Sequence, residues 1–412
     1  MVSIKPFRGY RPRPDLVTRV ISPPYDVVSS EEARKLAAGN PISFLHVVRA
    51  EIDLPPETDP YDGRVYESAA SNLRGLIEEG VLVREAAPAF YVYQQRMGEH
   101  CQAGLVVGAS AAEYDRDLIK KHEQTRKAKE ADRTRHIEAT GANTGPVFLC
   151  YRQSAVIDRL VEVIRGGEAE CDVTTEDGVA HTLWAVTDPE QVAELARAFR
   201  EVPALYIADG HHRAASSVAV CRRRGEEREG GEEAPWNHFL AVAFPHDQLK
   251  VMGYHRVVAD LNGHSPARFR ELLAEKFTLV PDAPAEPREK GSFGLFLEGR
   301  WYNLVVKEGG IDRQDPVAGL DCSILQEQVL APLLGITDPR ADERIDFVGG
   351  IRGTAELERR CRQGWAAAFA LHPTGVEELM AVADASRLMP PKSTWFEPKL
   401  RSGLVVRKID EI

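Results

Sequence analysis

The chain has 412 residues, 43% of them hydrophobic and 28% charged, and a formal net charge of −11. Its length exceeds one ordinary hydrophobic core and predicts more than one domain. The acidic balance excludes a general nucleic-acid binder but allows a local basic pocket for a small anion.

In chain order, Met1 to Tyr10 lacks the apolar core of a signal peptide. No run of about 18 apolar residues occurs, so a cytoplasmic chain without a membrane span is expected. Arg8 to Tyr25, rich in Pro and Arg, should be extended and ends in Pro23-Pro24-Tyr25-Asp26. Ser29-Ser30-Glu31-Glu32 offers a capping box for a short helix that stops at Gly39-Asn40-Pro41. Ile42 to Val48 is apolar enough for a strand, and His46 within it reads as a satisfied core histidine. Tyr66 to Glu78 has helical spacing through Ala69, Leu73 and Ile77. Ala89 to Gln94 and Gly104 to Ala109 predict strands joined by a turn at Met97-Gly98-Glu99.

Lys120 to Arg135 follows, with seven Lys or Arg against three Asp or Glu. Then come a loop from Gly141 to Gly145 and an apolar run from Val147 to Tyr151. Thr187-Asp188-Pro189 opens a helix with apolar positions at Val192, Leu195, Ala196 and Phe199, and Pro203 ends it. Leu205 to Ala208 looks like a buried strand and Asp209-Gly210 like a turn. A helix follows from Arg213 toward Gly225. Gly225 to Pro235 is a polar loop, and Phe239 to Phe244 is a strand candidate. Ser265 and Pro266 open a helix to Phe277, and Pro281 to Pro287 reads as a linker. Phe293 to Phe296 and Tyr302 to Val306 predict a hairpin. Helices are expected at Ser323 to Leu334 and Val376 to Ser386, with a strand at Ala367 to Leu371. Interleaved helices with adjacent, turn-linked strands predict an α+β fold of mixed sheets. The expected domains are 1–145, 146–262 and 263–412. Six cysteines, at 101, 150, 171, 221, 322 and 361, show no Cys-x-x-Cys spacing and read as free buried thiols in a reducing compartment.

The strongest chemical signal is the turn. Asp209, Gly210, His211, His212 and Arg213 fall where a strand becomes a helix. Backbone N–H groups and the helix dipole favour an anion there. Arg213 can grip a phosphate bidentately, the histidines can donate or move protons, and Asp209 can act as base or metal ligand. The alternative is a surface turn with a helix cap. Lys121, His122, Glu123, Thr125, Lys129 and Arg133 add cations around a carboxylate, as a nucleotide site needs, or form a solvated helix face. Lys392, Ser393 and Thr394 could hold an oxyanion, or belong to a strand closing the core. Tyr25 and Asp26 line a substrate cleft or form a structural corner. No P-loop, Gly-x-Gly-x-x-Gly, Gly-x-Ser-x-Gly or His-Glu-x-x-His motif occurs, and no metal ligand set is expected.

Five segments occur in an ordered series: Pro23-Pro24-Tyr25-Asp26, Lys121-His122-Glu123-Gln124-Thr125 with Asp132-Arg133, Tyr206 to Arg213, Leu320 to Leu325, and Pro391 to Lys399. Together they resemble the bacterial and archaeal family of domain of unknown function 1015 over essentially the whole chain. Position 322 carries Cys where Val is expected. More locally, the Asp-Gly-His-His-Arg turn resembles the phosphate-gripping turn of free-serine kinases. That likeness implies a ParB/sulfiredoxin-like core and places Asp209, His211 and Arg213 in phosphate binding and transfer. It also implies ADP or ATP with Mg²⁺, and serine or phosphoserine as the partner metabolite. The expected activity is phosphate transfer between a nucleotide and a small hydroxyl metabolite, with Asp209, His211 and Glu123 catalytic. A nucleotide- or metabolite-binding regulatory module and a metal-dependent phosphatase are the alternatives. Neither nucleic acid nor membrane is an expected partner.

Overall fold

Apolar runs from both halves of the amino-terminal region meet in one mixed sheet of nine strands. In chain order these are β1 (Ile4–Lys5), β2 (Phe90–Met97), β3 (His100–Ser110), β4 (Ile119–Lys120), β5 (Val147–Tyr151), β6 (Cys171–Thr174), β7 (Val179–Val186), β8 (Leu205–Asp209) and β9 (His238–Pro245). The spatial order is β4-β8-β5-β9-β3-β2-β7-β6, with β1 paired to β3. The β4–β8 and β5–β9 pairs are parallel and the rest antiparallel. The structure, a computed structural model, describes residues 1–228, 231, 233–307, 312 and 314–411.

The helices of this region are α1 (Val17–Val20), α2 (Ser30–Ala37), α3 (Leu45–Val48), α4 (Gly63–Glu78), α5 (Ala111–Asp115), α6 (Lys127–Thr140), α7 (Ala155–Arg165), α8 (Pro189–Arg200) and α9 (His211–Glu227). Their starts follow capping chemistry. Ser29 and Glu32 form the expected capping box of α2, and Asp188 caps α8 ahead of Pro189. One hydrophobic cluster joins Phe90, Leu105, Leu149, Leu195, Phe199 and Ile207. A second gathers Phe44, Leu45, Val47, Leu73 and Leu76 from α3, α4 and the chain before them.

The chain separates into two compact units, Met1–Leu249 with Pro398–Ile412, and Lys250–Glu397. This differs from the expected boundaries near 145 and 262. A break at 145 would cut β5 and β9 away from β3 within one hydrogen-bonded sheet. The second unit carries a six-stranded antiparallel sheet of β10 (Tyr254–Val258), β11 (Phe277–Pro281), β12 (Ser292–Leu297), β13 (Arg300–Val306), β14 (Ile345–Gly349) and β15 (Ala367–Leu371), in the order β11-β13-β12-β15-β10-β14. Its helices are α10 (Pro266–Lys276), α11 (Asp321–Leu325), α12 (Gly353–Arg362) and α13 (Val376–Asp384). The fold is α+β with mixed sheets.

Several expectations give way. Ile42 to Val48 is not a strand: Leu45–Val48 is a helical turn that buries Leu45, Val47 and Val48. Its His46 is not a core residue. The half-buried ring meets Asp53 at 2.6 Å, which raises its pKa against the opposing effect of burial. The helix expected over Ser323 to Leu334 is α only through Leu325, then π over Gln326–Leu330. α9 runs through Gly225 to Glu227, so the polar loop starts later than expected, and its residues 229, 230 and 232 lie outside the described residues. Of the six cysteines, all free, Cys150, Cys221 and Cys322 are buried while Cys101 is exposed. No helix among the described residues is long and apolar enough to cross a membrane.

Candidate functional site

The turn after β8 is built from the expected residues. Leu205, Tyr206, Ile207 and Ala208 are buried, which anchors the strand between β4 and β5. A register shift between Ile207 and Asp209 against β5 marks where the strand ends. Gly210 has φ 92°, the left-handed region that suits glycine, and no side chain caps α9 behind it. A Cβ at Gly210 would lie 3.1 Å from Arg213 Cζ, so glycine lets the guanidinium fold back over the turn.

Three charged groups meet there. Asp209 Oδ1 accepts the Gly210 N–H at 2.8 Å and Oδ2 accepts Lys399 Nζ at 3.2 Å. Burial acts to raise the Asp209 carboxyl, but Lys399 and Arg213 outweigh it and hold the group well below the usual carboxylate range. Arg213 is buried, and one nitrogen donates to the Pro146 carbonyl. Its Nη2 lies 3.7 Å from Asp26 and 3.8 Å from Asp209, too far for good hydrogen bonds. Its buried Nε has no partner among the described residues. Burial opposes the charge, while Asp26 and Asp209 sustain it.

The 122–126 stretch is tied to this turn across 89 residues. His211 Nε2 accepts the His122 backbone N–H at 3.4 Å, and the two rings pack edge to face at 4.4 Å. An accepting Nε2 puts the proton of neutral His211 on Nδ1, which lies 4.0 Å from Glu123 Oε2. Burial pushes His122 down to about 4. Burial first, then His122, pushes His211 well below its ordinary value. Both rings are therefore neutral at pH 7. His122 Nδ1 is buried without a partner among the described residues. His212 Nε2 accepts the Arg126 N–H at 3.0 Å.

Beside the turn opens a pocket with about 420 Å³ of empty space, lined among others by Tyr25, Arg133, Asn143, Gly145, Arg213 and Ser402. The Arg133 guanidinium lies 4.2 Å from the Tyr25 ring centroid, and its Nε donates to Asp132 at 2.8 Å. The buried Arg213 and the half-buried Arg133 thus face one small cavity.

Other expected residues take different partners. Lys121 donates to the Tyr114 carbonyl at 2.9 Å and sits 3.4 Å from Asp117. Lys129 is exposed, 5.7 Å from the Tyr61 ring. Thr125 donates to Glu130 at 3.0 Å, closing the start of α6. Lys392, Ser393 and Thr394 belong to the second unit. There Lys392 Nζ lies 5.6 Å from the Tyr254 ring, Ser393 Oγ donates to the Pro390 carbonyl at 2.6 Å, and Thr394 is half-buried. Among the described residues no group of three or more His, Cys, Asp or Glu is set to hold a metal ion.

Sequence reading missed Lys399 and its support. Gln95, fully buried, donates to the Lys399 carbonyl at 2.9 Å, and Gln102 donates to Gln95 at 3.1 Å. The available signal was a pair of glutamines inside otherwise apolar strands.

The family model described as "Protein of unknown function (DUF1015)" matches residues 4–323, and the chain belongs to that family. No curated protein matches. Among solved structures, SbnI with C-terminal truncation from Staphylococcus aureus is 12% identical, covers 71% of this chain and 82% of its own, and gives a TM-score of 0.38. A free serine kinase in complex with AMP is 15% identical over 71% of this chain and 86% of its own, at 0.34. A conserved hypothetical protein from Pyrococcus furiosus is 17% identical over 73% of this chain and 93% of its own, also at 0.34. Such scores transfer neither a site nor an activity.

Proposed function

We propose that this member of the DUF1015 family is a phosphotransferase that moves a phosphoryl group between a nucleotide, ADP or ATP, and a small hydroxyl metabolite. The observation that carries the reading is Arg213. A buried guanidinium whose Nη2 stands 3.7 and 3.8 Å from two carboxylates, too far for good hydrogen bonds, has donors to spare on a pocket wall. A phosphate oxygen is the ligand that would take them.

In this reading Arg213, Arg133 and Lys399 neutralise phosphate charge, which is the main demand of phosphoryl transfer. The acceptor hydroxyl attacks phosphorus and gives its proton to Glu123. The new O–P bond forms as the bond to the nucleotide's bridging oxygen breaks, and the electron pair leaves with the nucleotide. Glu123 suits the role because it is half-exposed beside the Nδ1–H of His211. Asp209 suits it less, since a carboxylate held far below its ordinary range is a weak base. We assign Asp209 to clamping Lys399 and Arg213. Mg²⁺ carried by the nucleotide would find the half-exposed Asp26 carboxylate beside Arg213 and would supply further charge neutralisation. Serine or phosphoserine is favoured as the hydroxyl partner on the likeness of the Asp-Gly-His-His-Arg turn alone.

The test incubates the full chain with Mg²⁺, ADP or ATP, and pooled hydroxyl metabolites, and follows phosphorus by NMR. Coupled loss of nucleotide and appearance of a phosphomonoester, or the reverse, is expected. The signal should be absent in Arg213→Ala and slower by about 10² in Glu123→Gln. Nucleotide binding without turnover in any pool would instead assign a binding module. Phosphate release without nucleotide would assign a phosphatase.

A further inference from the structure

Tyr25 lines the same pocket as Arg213, together with Arg133, Thr144 and Ser402. Its half-buried ring packs against the hydrophobic cluster that holds Phe44, Leu45 and Val47, which anchors the body of the side chain. Its hydroxyl has no hydrogen-bond partner among the described residues, and the oxygen stays accessible at the pocket wall. A tyrosine hydroxyl enclosed by protein normally finds a partner. The Tyr25 hydroxyl is therefore a donor that the fold itself does not use.

The ring is also held from its face. The Arg133 guanidinium lies 4.2 Å from the Tyr25 centroid. Arg133 is fixed in turn by Asp132, which its Nε meets at 2.8 Å, and the buried Asp132 accepts the Tyr66 hydroxyl at 2.9 Å. A cation over the face of a phenol draws electron density from the ring and strengthens its O–H as a donor. The next residue, Asp26, brings its carboxylate to 3.7 Å from Arg213 Nη2, which ties the chain at Tyr25 to that guanidinium. Burial and then Asp26 raise the phenol above its ordinary value against the pull of Arg133 and Arg213, so it stays protonated at neutral pH.

We propose that Tyr25 is a phosphoryl-binding residue of this pocket, its hydroxyl donating to an oxygen of the phosphoryl group that Arg213 holds. The assignment rests on the phosphate reading of the Arg213 pocket. A phosphoryl group presents several oxygens, and a guanidinium that takes one or two of them leaves another for a neutral donor. The hydroxyl acts at the binding step and moves no proton. If the ring served packing alone, removing its oxygen would change neither stability nor affinity.

Tyr25→Phe separates the two roles, because it keeps the ring beneath Arg133 and removes only an oxygen without a partner in the fold. The measurement is calorimetric titration of the full chain with pyrophosphate at pH 7, with thermal melting alongside. Tyr25→Phe should melt as wild type does and bind pyrophosphate about tenfold more weakly, the weight of one hydrogen bond to a charged group. Tyr25→Ala, which also removes the ring, should bind at least as weakly and melt lower. Parallel titrations with ADP and with phosphoserine assign the phosphoryl group to the nucleotide or to the phosphomonoester, by which affinity falls in Tyr25→Phe. Pyrophosphate affinity of Tyr25→Phe within about twofold of wild type, with binding lost in Arg213→Ala, would overturn the role of Tyr25 and leave the phosphate reading standing. A lower Tm in Tyr25→Phe would show that the hydroxyl serves the fold and would overturn it too. Absence of pyrophosphate binding to wild type, or binding indifferent to Arg213→Ala, would overturn both readings.

Discussion

Asp209→Asn separates a clamping carboxylate from a catalytic base. The change keeps the shape and leaves an oxygen to accept the Gly210 N–H, now at 2.8 Å. What disappears is the counter-charge of Lys399 and Arg213, whose side chains are 16% and 10% exposed. Breaking a buried ion pair costs about 3–5 kcal/mol, and an exposed one contributes about 0–1. Asp209 is 30% exposed with cations at 3.2 and 3.8 Å, so the expected loss is about 2 kcal/mol, between those limits. Urea unfolding at pH 7 measures it. The folded-state carboxyl sits below its unfolded value, so its stabilisation is complete above the ordinary carboxylate range and fades as pH falls through the folded value. The gap between wild type and variant should therefore narrow below about pH 4. With the repelling carboxylate gone, Arg213 and Lys399 should also bind pyrophosphate more tightly in calorimetry. A variant within about 0.5 kcal/mol of wild type, with unchanged pyrophosphate affinity, would show that the carboxylate is not holding the cations.

Two further expectations concern the first unit. Gly210→Ala puts a Cβ at φ 92° and 3.1 Å from Arg213 Cζ; it should cost about 1–3 kcal/mol and weaken pyrophosphate binding, and a variant matching wild type in Tm and affinity contradicts the geometry. Burial pushes His122, His136 and His238 down to about 4 and His181 to about 3. They stay neutral when folded and gain protons on unfolding below about pH 6.5, so stability should fall from there toward pH 4 by about 1.4 kcal/mol per pH unit for each ring. A Tm that is flat between pH 7 and 5 would count against neutral burial.

The elements read well from sequence are those whose local chemistry and tertiary role agree. The Met97-Gly98-Glu99 turn joins β2 to β3, and Ser265-Pro266 opens α10. Ile42 to Val48 failed because a short apolar run has no period of its own, and burial of Leu45, Val47 and Val48 is satisfied equally by a helical turn. The β6–β7 hairpin went unread because Asp172, His181 and Thr182 break its alternation. Of these, His181 and Thr182 are buried and partnered: Thr182 donates to the exposed Asp172 at 3.0 Å, and His181 accepts from Arg401 at 3.1 Å.

The site divides along the same line. The Asp209–Arg213 turn was legible because residue type and position speak together: a glycine where φ must be positive, an arginine at the fourth residue after Asp209, and two adjacent histidines that a bare turn does not call for and that here hold the 122–126 stretch. The nearness of His122 and Glu123 was legible in kind, since both are polar residues in a family-like segment. The Lys121 partners were not, because a lysine stem reaches whichever carbonyl and ring the fold brings close, here those of Tyr114. Lys399 was hidden for a stricter reason. Its partner Asp209 is 190 residues away, and its backbone is held by Gln95, which is 304 residues away. Each residue alone is unremarkable in composition. Only the sheet, which sets β2 and β3 side by side and lets Gln102 steady Gln95, turns a carboxyl-terminal lysine into the counter-charge of the turn. If the phosphotransferase reading holds, the chemistry is then distributed as the physics requires. The carboxylate that sequence singles out is consumed in holding cations, and the proton acceptor must be sought in a group that remains hydrated, which here is Glu123.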